Sequence, residues 1–563
     1  MKSKKLLATI VSCLVIASTA LVGCGISTGG SSGKGLDKEQ HLNLVLDREP
    51  KNLDPSKSTD LYSSQVISEV YEGLTRIEVD KDGKDVVKPA GAEKWESSND
   101  GLKWTFHLRD YEWSDGKKVT AKDFEYGIKR TLDPKIASQY AYLLYPIKNA
   151  EKFNTDKSGS FSANEVGVKA INDKTLEITL EKPCAYFLKT TYFKVMMPQR
   201  QDIVEKYGEK FGTEAANMLF CGPFTIKEWV HGNKVELVKN EKYWDAKSVK
   251  LQKATMKIID NEGSRMQELL NGSLDIAKVR KPEWKEKFDK SKNFDLVKLP
   301  EPSTNYEFYN QKDKLFKNVK VRKAFSLAIN REDVSKTLFK GIFTPAYGWV
   351  PPQLQIGDKE FRKEAGEEPI KKLKEENKDP KKLLVEGLKE LGMDPDPSKI
   401  TVNYLTGATD DQQKEICEYF QQMYEKVLGI KVKIEYVQWP VYMNRIDNGD
   451  YQMSGMGWSG DYDDPMTEFD LWMTGMNMVP TGWSNGKYDE LVKKAASLPQ
   501  EKNAERMKAF KEAEKILLYD DAVVAPFVYR NKQIYKGKYV KGIMIPLFGS
   551  EIDIKYAYTE GRK

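Results

Sequence analysis

The chain has 563 residues, 40% of them hydrophobic and 11% aromatic, with a formal net charge of +6. That length calls for more than one structural unit, and the apolar content is ample for packed cores. Charge this close to balance, with no basic patch interleaved with aromatics, does not point to nucleic acid.

The chain opens with Lys2, Lys4 and Lys5, followed by an acid-free apolar run from Leu6 to Leu21. A basic start and a short apolar core read as an export signal rather than as structure. The run is shorter than the roughly 20 apolar residues that span a bilayer comfortably. It ends in Leu21-Val22-Gly23-Cys24, which resembles a bacterial lipobox. That resemblance implies a signal peptide over 1–23, cleavage before Cys24 and acylation of its thiol. The expected location is the extracytoplasmic face of the cell membrane, lipid-anchored, on a Gram-positive surface. Loss of the three lysines leaves the mature chain at about +3 from the +6 of the whole. The following ISTGGSSGKG stretch, Ile26 to Gly35, is flexible in composition and makes 24–35 a lipidated tether.

In the body, Leu42–Leu46 predicts a strand, and Glu49–Pro55 an extended, turning segment. Leu102, Trp104, Phe106 and Leu108 alternate after an Asn99-Asp100-Gly101 turn, the pattern of a half-buried strand. Thr120 with Asp123 three residues on predicts a helix start, and Phe124, Ile128 and Leu132 supply its apolar stripe up to Asp133-Pro134. Asn305–Asn310 reads as a strand, and Ile370–Asn377 as a solvated helix face. Cys184, Cys221 and Cys417 contain no C-x-x-C, and an odd count in an exported chain favours buried free thiols over a disulfide framework. His41, His107 and His231 stand at no metal-ligand spacing, so neither metal nor cofactor is expected.

Three motifs invite an enzymatic reading. Gly455–Gly460 fits G-x-G-x-x-G, but it runs into Asp461, Asp463 and Asp464, which would repel a phosphate. Gly482–Gly486 fits G-x-S-x-G around Ser484, but no histidine follows to activate that serine. A turn built from Trp483, Asn485 and Gly486 is the simpler account. The three aspartates lack EF-hand spacing and have no recognisable carboxylate partner site, although calcium or glycosidase roles stay open for them.

The blocks Ala92-Glu-Lys-Trp95, Trp104-Thr-Phe-His-Leu-Arg109, Trp113-Ser-Asp-Gly116 and Val119-Thr-Ala-Lys-Asp-Phe124 resemble the signature of the family-5 extracellular solute-binding proteins, the oligopeptide-binding proteins of ABC importers. The likeness continues through Cys221–Trp229, Asn240–Trp244, Asn271–Ala277, Val319–Arg331, Pro345–Pro352 and Gly460–Pro465, so it covers essentially the whole mature chain. It implies an α/β, two-lobed, periplasmic-binding-protein-like type II fold with mixed sheets, a hinge and an extra domain. Domain I is expected from 36–72, 219–312 and 515–563, domain II from 73–218, and domain III from 313–514.

The implied function is capture of oligopeptides in the interlobe cleft and delivery to a permease heterodimer driven by a cytoplasmic ATPase. The chain itself is expected to be a monomer and not an enzyme. Within the same fold the ligand could instead be a dipeptide, a signal peptide, a nickel chelate or a sugar. By resemblance Asp461 meets the peptide's α-amino group, while Asn305 and Tyr306 lie on a strand beside the cleft. Tyr140 and Trp439 fall among the aromatic pocket linings. Trp458 and Tyr462 offer flat apolar walls with polar tips. A departure from some relatives is Ser454-Gly455 where they carry an arginine, which leaves recognition of a peptide carboxylate open.

Overall fold

The computed structural model describes residues 35–562, apart from 82, 408–410 and 477–478. The expected signal segment, Cys24 and nearly all of the tether lie outside the described residues. Leu36–Lys563 forms one compact unit. No helix among the described residues is long and apolar enough to cross a membrane.

Three larger sheets carry the body. In the first, His41–Leu46 runs parallel to Lys253–Ile258, which pairs antiparallel with Lys234–Lys239 and that in turn with Phe224–Val230. The period-two pattern drives this, since Leu42, Leu44 and Leu46 all turn inward and are buried. The second sheet is antiparallel, in the order Ala92–Ser97, Lys103–Leu108, Thr175–Thr179, Val168–Asn172. Phe106 and Leu108 face its core, and Gly101 closes the preceding turn at φ +69°, a backbone region that suits glycine. The Ala121–Leu132 helix covers this sheet with Phe124, Ile128 and Leu132 fully buried. Asp123 accepts from the Thr120 backbone N–H at 2.8 Å, fixing the helix start as the sequence predicts.

The third sheet has seven strands, with the main order Ile276–Lys278, Val524–Gly537, Phe294–Tyr309, Met453–Ser459, Thr401–Thr406, Lys431–Tyr436, and Thr344–Pro345 beside the second of these. Two long strands run through it. Phe294–Pro300 pairs with Asn531–Gly537, and Thr304–Phe308 pairs with Val524–Tyr529. Between those halves the register shifts, across Pro300 and Thr304, where a proline cannot donate to the ladder. The sheet draws strands from both sides of the domain limits expected at 312 and 515.

Elsewhere the local readings find direct counterparts. Pro369–Glu376 is helical with only Ile370 and Leu373 buried. Cys184, Cys221 and Cys417 are free and buried. Asn485 caps the Gly486–Ser497 helix by accepting from the Lys487 and Tyr488 backbone N–H groups. Ser484 sits beside Thr474, Oγ to Oγ1 2.9 Å.

Candidate functional site

The glycine-rich stretch is a strand. Met453–Ser459 pairs along its whole length with Ser303–Tyr309. This is not the strand-turn-helix context of a phosphate loop, so a dinucleotide site is excluded. On its other edge the ladder covers only Tyr404↔Met453 and Leu405↔Ser454. From Gly455 onward that edge has no strand partner among the described residues. The glycines make room for neighbours within the chain. A Cβ on Gly455 would lie 2.6 Å from Tyr404 Oη and 2.8 Å from Glu307 Oε1, and one on Gly457 would lie 2.8 Å from Asn305 Oδ1.

Past the strand, Gly460 N–H donates to Pro302 O at 2.8 Å, and Asp461 N–H to Thr467 Oγ1 at 3.0 Å. These bonds hold Asp461 at the strand's end, half-buried. Tyr142 Oη donates to Asp461 Oδ2 at 2.9 Å. Lys194, buried, places Nζ 4.8 Å over the Tyr140 ring and donates to Ser64 Oγ at 2.6 Å. Burial pushes the Asp461 carboxyl up to about 6, against the Tyr142 hydrogen bond and the Lys194 charge, which pull it down. Burial likewise pulls Lys194 down to about 8, opposed by the charges of Asp461 and Asp60. The Asp461 charge and then burial hold the Tyr140 phenol well above its ordinary value.

The neighbouring acids have other tasks. Asp463 pairs with Lys189 at 2.8 Å and accepts from Gln355 N–H at 2.7 Å. Asp464, buried, pairs with Arg506 at 2.8 Å and accepts from Met466 N–H at 3.0 Å. Two carboxylates already committed to cations and amides serve to fix the loop. Contacts between the 73–218 and 313–514 segments thus include Tyr142 with Asp461, Lys189 with Asp463, and Tyr186 stacked on Tyr462 at 5.0 Å.

The sequence-derived site residues divide into two sets. Tyr140 stands beside Asp461, while half-buried Asn305 and Trp458 lie on the paired strands that lead to it. Trp458 Nε1 donates to Thr467 O at 3.1 Å, tying the strand to the turn after it. Trp439 is 54% exposed and leans on Tyr442, ring centroids 5.3 Å apart, and Tyr442 Oη reaches Gly455 O at 3.1 Å. Two expectations need correcting. Tyr306 is 1% exposed, packed edge-on against Trp349 and Trp472, and Tyr462 is 3% exposed under Tyr186. Both rings fill core: Tyr306 points to the packed face of its sheet, and Tyr462, past the end of the Met453–Ser459 strand, is covered by Tyr186. Tyr142, Lys194 and Lys189 were missed. Tyr142 carries a visible signal, since it closes the same Ser138-Gln-Tyr-Ala-Tyr142 run as Tyr140.

Residues 86–479 match the family model of the bacterial extracellular solute-binding proteins, family 5. The chain is 35% identical over 561 residues to the oligopeptide-binding protein OppA of Bacillus subtilis, covering 98% of this chain and 99% of that one. It is 33% identical to the dipeptide-binding protein DppE of the same organism, over 96% of each. Among solved structures, the substrate-binding domain of an oligopeptide ABC transporter from Bacillus anthracis superposes with a TM-score of 0.80 at 32% identity, covering 93% of this chain and 99% of that one. The fold is accordingly the mixed-sheet, two-lobed type II binding-protein fold, and the chain belongs to the family-5 bacterial extracellular solute-binding proteins.

Proposed function

We propose that this protein captures oligopeptides in a cleft between its lobes and delivers them to an ABC permease pair powered by separate ATPase subunits, with no catalysis of its own. The observation that carries this is Asp461, a half-buried carboxylate with no ion-pair partner among the described residues, at the end of a strand whose edge is unpaired from Gly455. That edge offers main-chain groups to an extended peptide, which gives affinity without reading side chains. Asp461 then takes the α-ammonium, with Tyr142 and Tyr140 around it. Similarity to oligopeptide-binding relatives supports the reading. Similarity to a dipeptide-binding relative favours a second one, a cleft suited to shorter peptides.

In this reading domains I, II and III follow the expected segments, and the lobes close by hinge rotation. Closure is favoured because ligand touches both lobes only when closed. Acylation of Cys24 holds the monomer at the membrane surface of a Gram-positive cell.

A pH titration tests the role of Asp461. Its carboxyl titrates near 6, while a peptide α-amino group stays protonated until about pH 7.7. Affinity for a free-amine peptide is therefore full near pH 7 and falls below pH 6, by at most about tenfold per unit, as Asp461 takes up a proton. Calorimetry with a free-amine peptide and its N-acetylated form reads this directly. Equal affinities for the two, or a flat profile from pH 7 to 5, contradict it.

A further inference from the structure

Five acids stand between residues 461 and 470, and they do not share one fate. Asp463 and Asp464 have cations, Lys189 and Arg506. Asp461, Glu468 and Asp470 form no ion pair among the described residues. Glu468 is fully buried, and neither carboxyl oxygen has a hydrogen-bond partner among the described residues. Its position is well defined. A Cβ on Gly460, next to Asp461, would meet Glu468 Oε1 at 3.2 Å. The Glu468 backbone is held by Trp349, whose Nε1 donates to Glu468 O at 2.6 Å.

Burial and the charges of Asp470 and Asp461 keep Glu468 well above its ordinary value. Burial and the Asp461 charge do the same for Asp470. A buried acceptor with no partner is costly, so a site that keeps one is short of a donor. Lys194, whose charge acts on Asp461, is already engaged with Ser64 and the Tyr140 ring. An α-ammonium brings one positive charge to this group of three acids. A second positive charge on the same ligand residue balances it further.

We propose that Glu468, with Asp470, forms an acidic subsite for the side-chain cation of a lysine or arginine at the first position of the peptide. This rests on the reading of Asp461 as the acceptor of the α-ammonium. Such a ligand places ammonium or guanidinium donors where Glu468 has unused lone pairs, and draws both acids toward their ionised forms.

The test compares two peptides that differ only by the charge, Lys-Leu-Leu-Ala and norleucine-Leu-Leu-Ala, by calorimetry on the whole mature chain and on Glu468→Gln and Asp470→Asn. The lysine peptide is expected to bind about tenfold tighter to the wild type. That preference falls to within about threefold in Glu468→Gln, while the norleucine peptide keeps its affinity and so reports a folded cleft. If Glu468→Gln does not fold, the same loss of preference in Asp470→Asn stands in its place. Equal affinity of the two peptides for wild type, or an unchanged preference in the variants, overturns the subsite and leaves peptide capture standing. Failure of both peptides to bind wild type overturns peptide capture and the subsite together.

Discussion

Replacing Asp461 by asparagine weakens binding of a free-amine peptide by roughly 10- to 100-fold and leaves binding of its N-acetylated form where it was. The size follows from the bond removed. A charge-assisted hydrogen bond to a desolvated ammonium contributes about 1.5–3 kcal/mol net, and each 1.4 kcal/mol is a factor of ten. Asparagine keeps the shape and an oxygen for Tyr142, so packing against Tyr142 and Thr467 survives. The ligand-free protein moves the other way. Its carboxyl titrates near 6 when folded, against an ordinary value of 3.8, because of burial. A raised folded value for an acid means that the folded state holds the proton more tightly. The stability it lends is present below pH 4 and is lost as pH rises through 6. At pH 7 the native carboxylate therefore costs stability, and Asp461→Asn raises the melting temperature of the ligand-free protein while abolishing most of the rise caused by peptide. A variant that loses both stability and affinity would assign Asp461 a structural role instead.

The second large effect is Arg506→Met, expected to lose about 3–5 kcal/mol of stability. Arg506 and Asp464 have side chains only 1% and 3% exposed, and their ion pair is 2.8 Å long. Arg506 Nε also donates to Ala495 O at 3.0 Å, so one guanidinium ties the Asn503–Lys515 helix to the preceding helix and to the Asp461–Pro465 loop. Methionine fills similar space but leaves Asp464 charged and alone in a dry interior. Urea unfolding measures the loss. The double variant Arg506→Met with Asp464→Asn loses less than Arg506→Met alone, because the stranded charge has gone. If the single and double variants unfold together, the pair is not what holds this loop.

Local order was legible in the sequence because its causes are local. Thr120 with Asp123, and Phe124, Ile128 and Leu132 four residues apart, dictate a helix whatever surrounds them. Two of the three enzyme-like motifs could be dismissed on missing chemistry: acids where phosphate would sit, and no imidazole beyond Ser484. Asp461 was reached through a family pattern, not through spacing. What failed was pairing at a distance. Tyr142 lies 319 residues from Asp461, and Lys189 lies 274 from Asp463, so nothing in either neighbourhood announces the other. Spacing alone likewise does not show that Asp463 and Asp464 are occupied by cations while Asp461 forms no ion pair among the described residues. Tyr462 was read as a wall, and Tyr306 as a cleft-side residue, because an aromatic suits a pocket and a core equally well.

The most direct test of peptide capture is native mass spectrometry of the mature protein purified from a peptide-rich medium, with release and sequencing of whatever is bound. The account predicts a ladder of mixed peptides with free amino ends, held by the wild type and lost from Asp461→Asn. A sugar, a metal chelate, or peptides retained equally by the variant would contradict it.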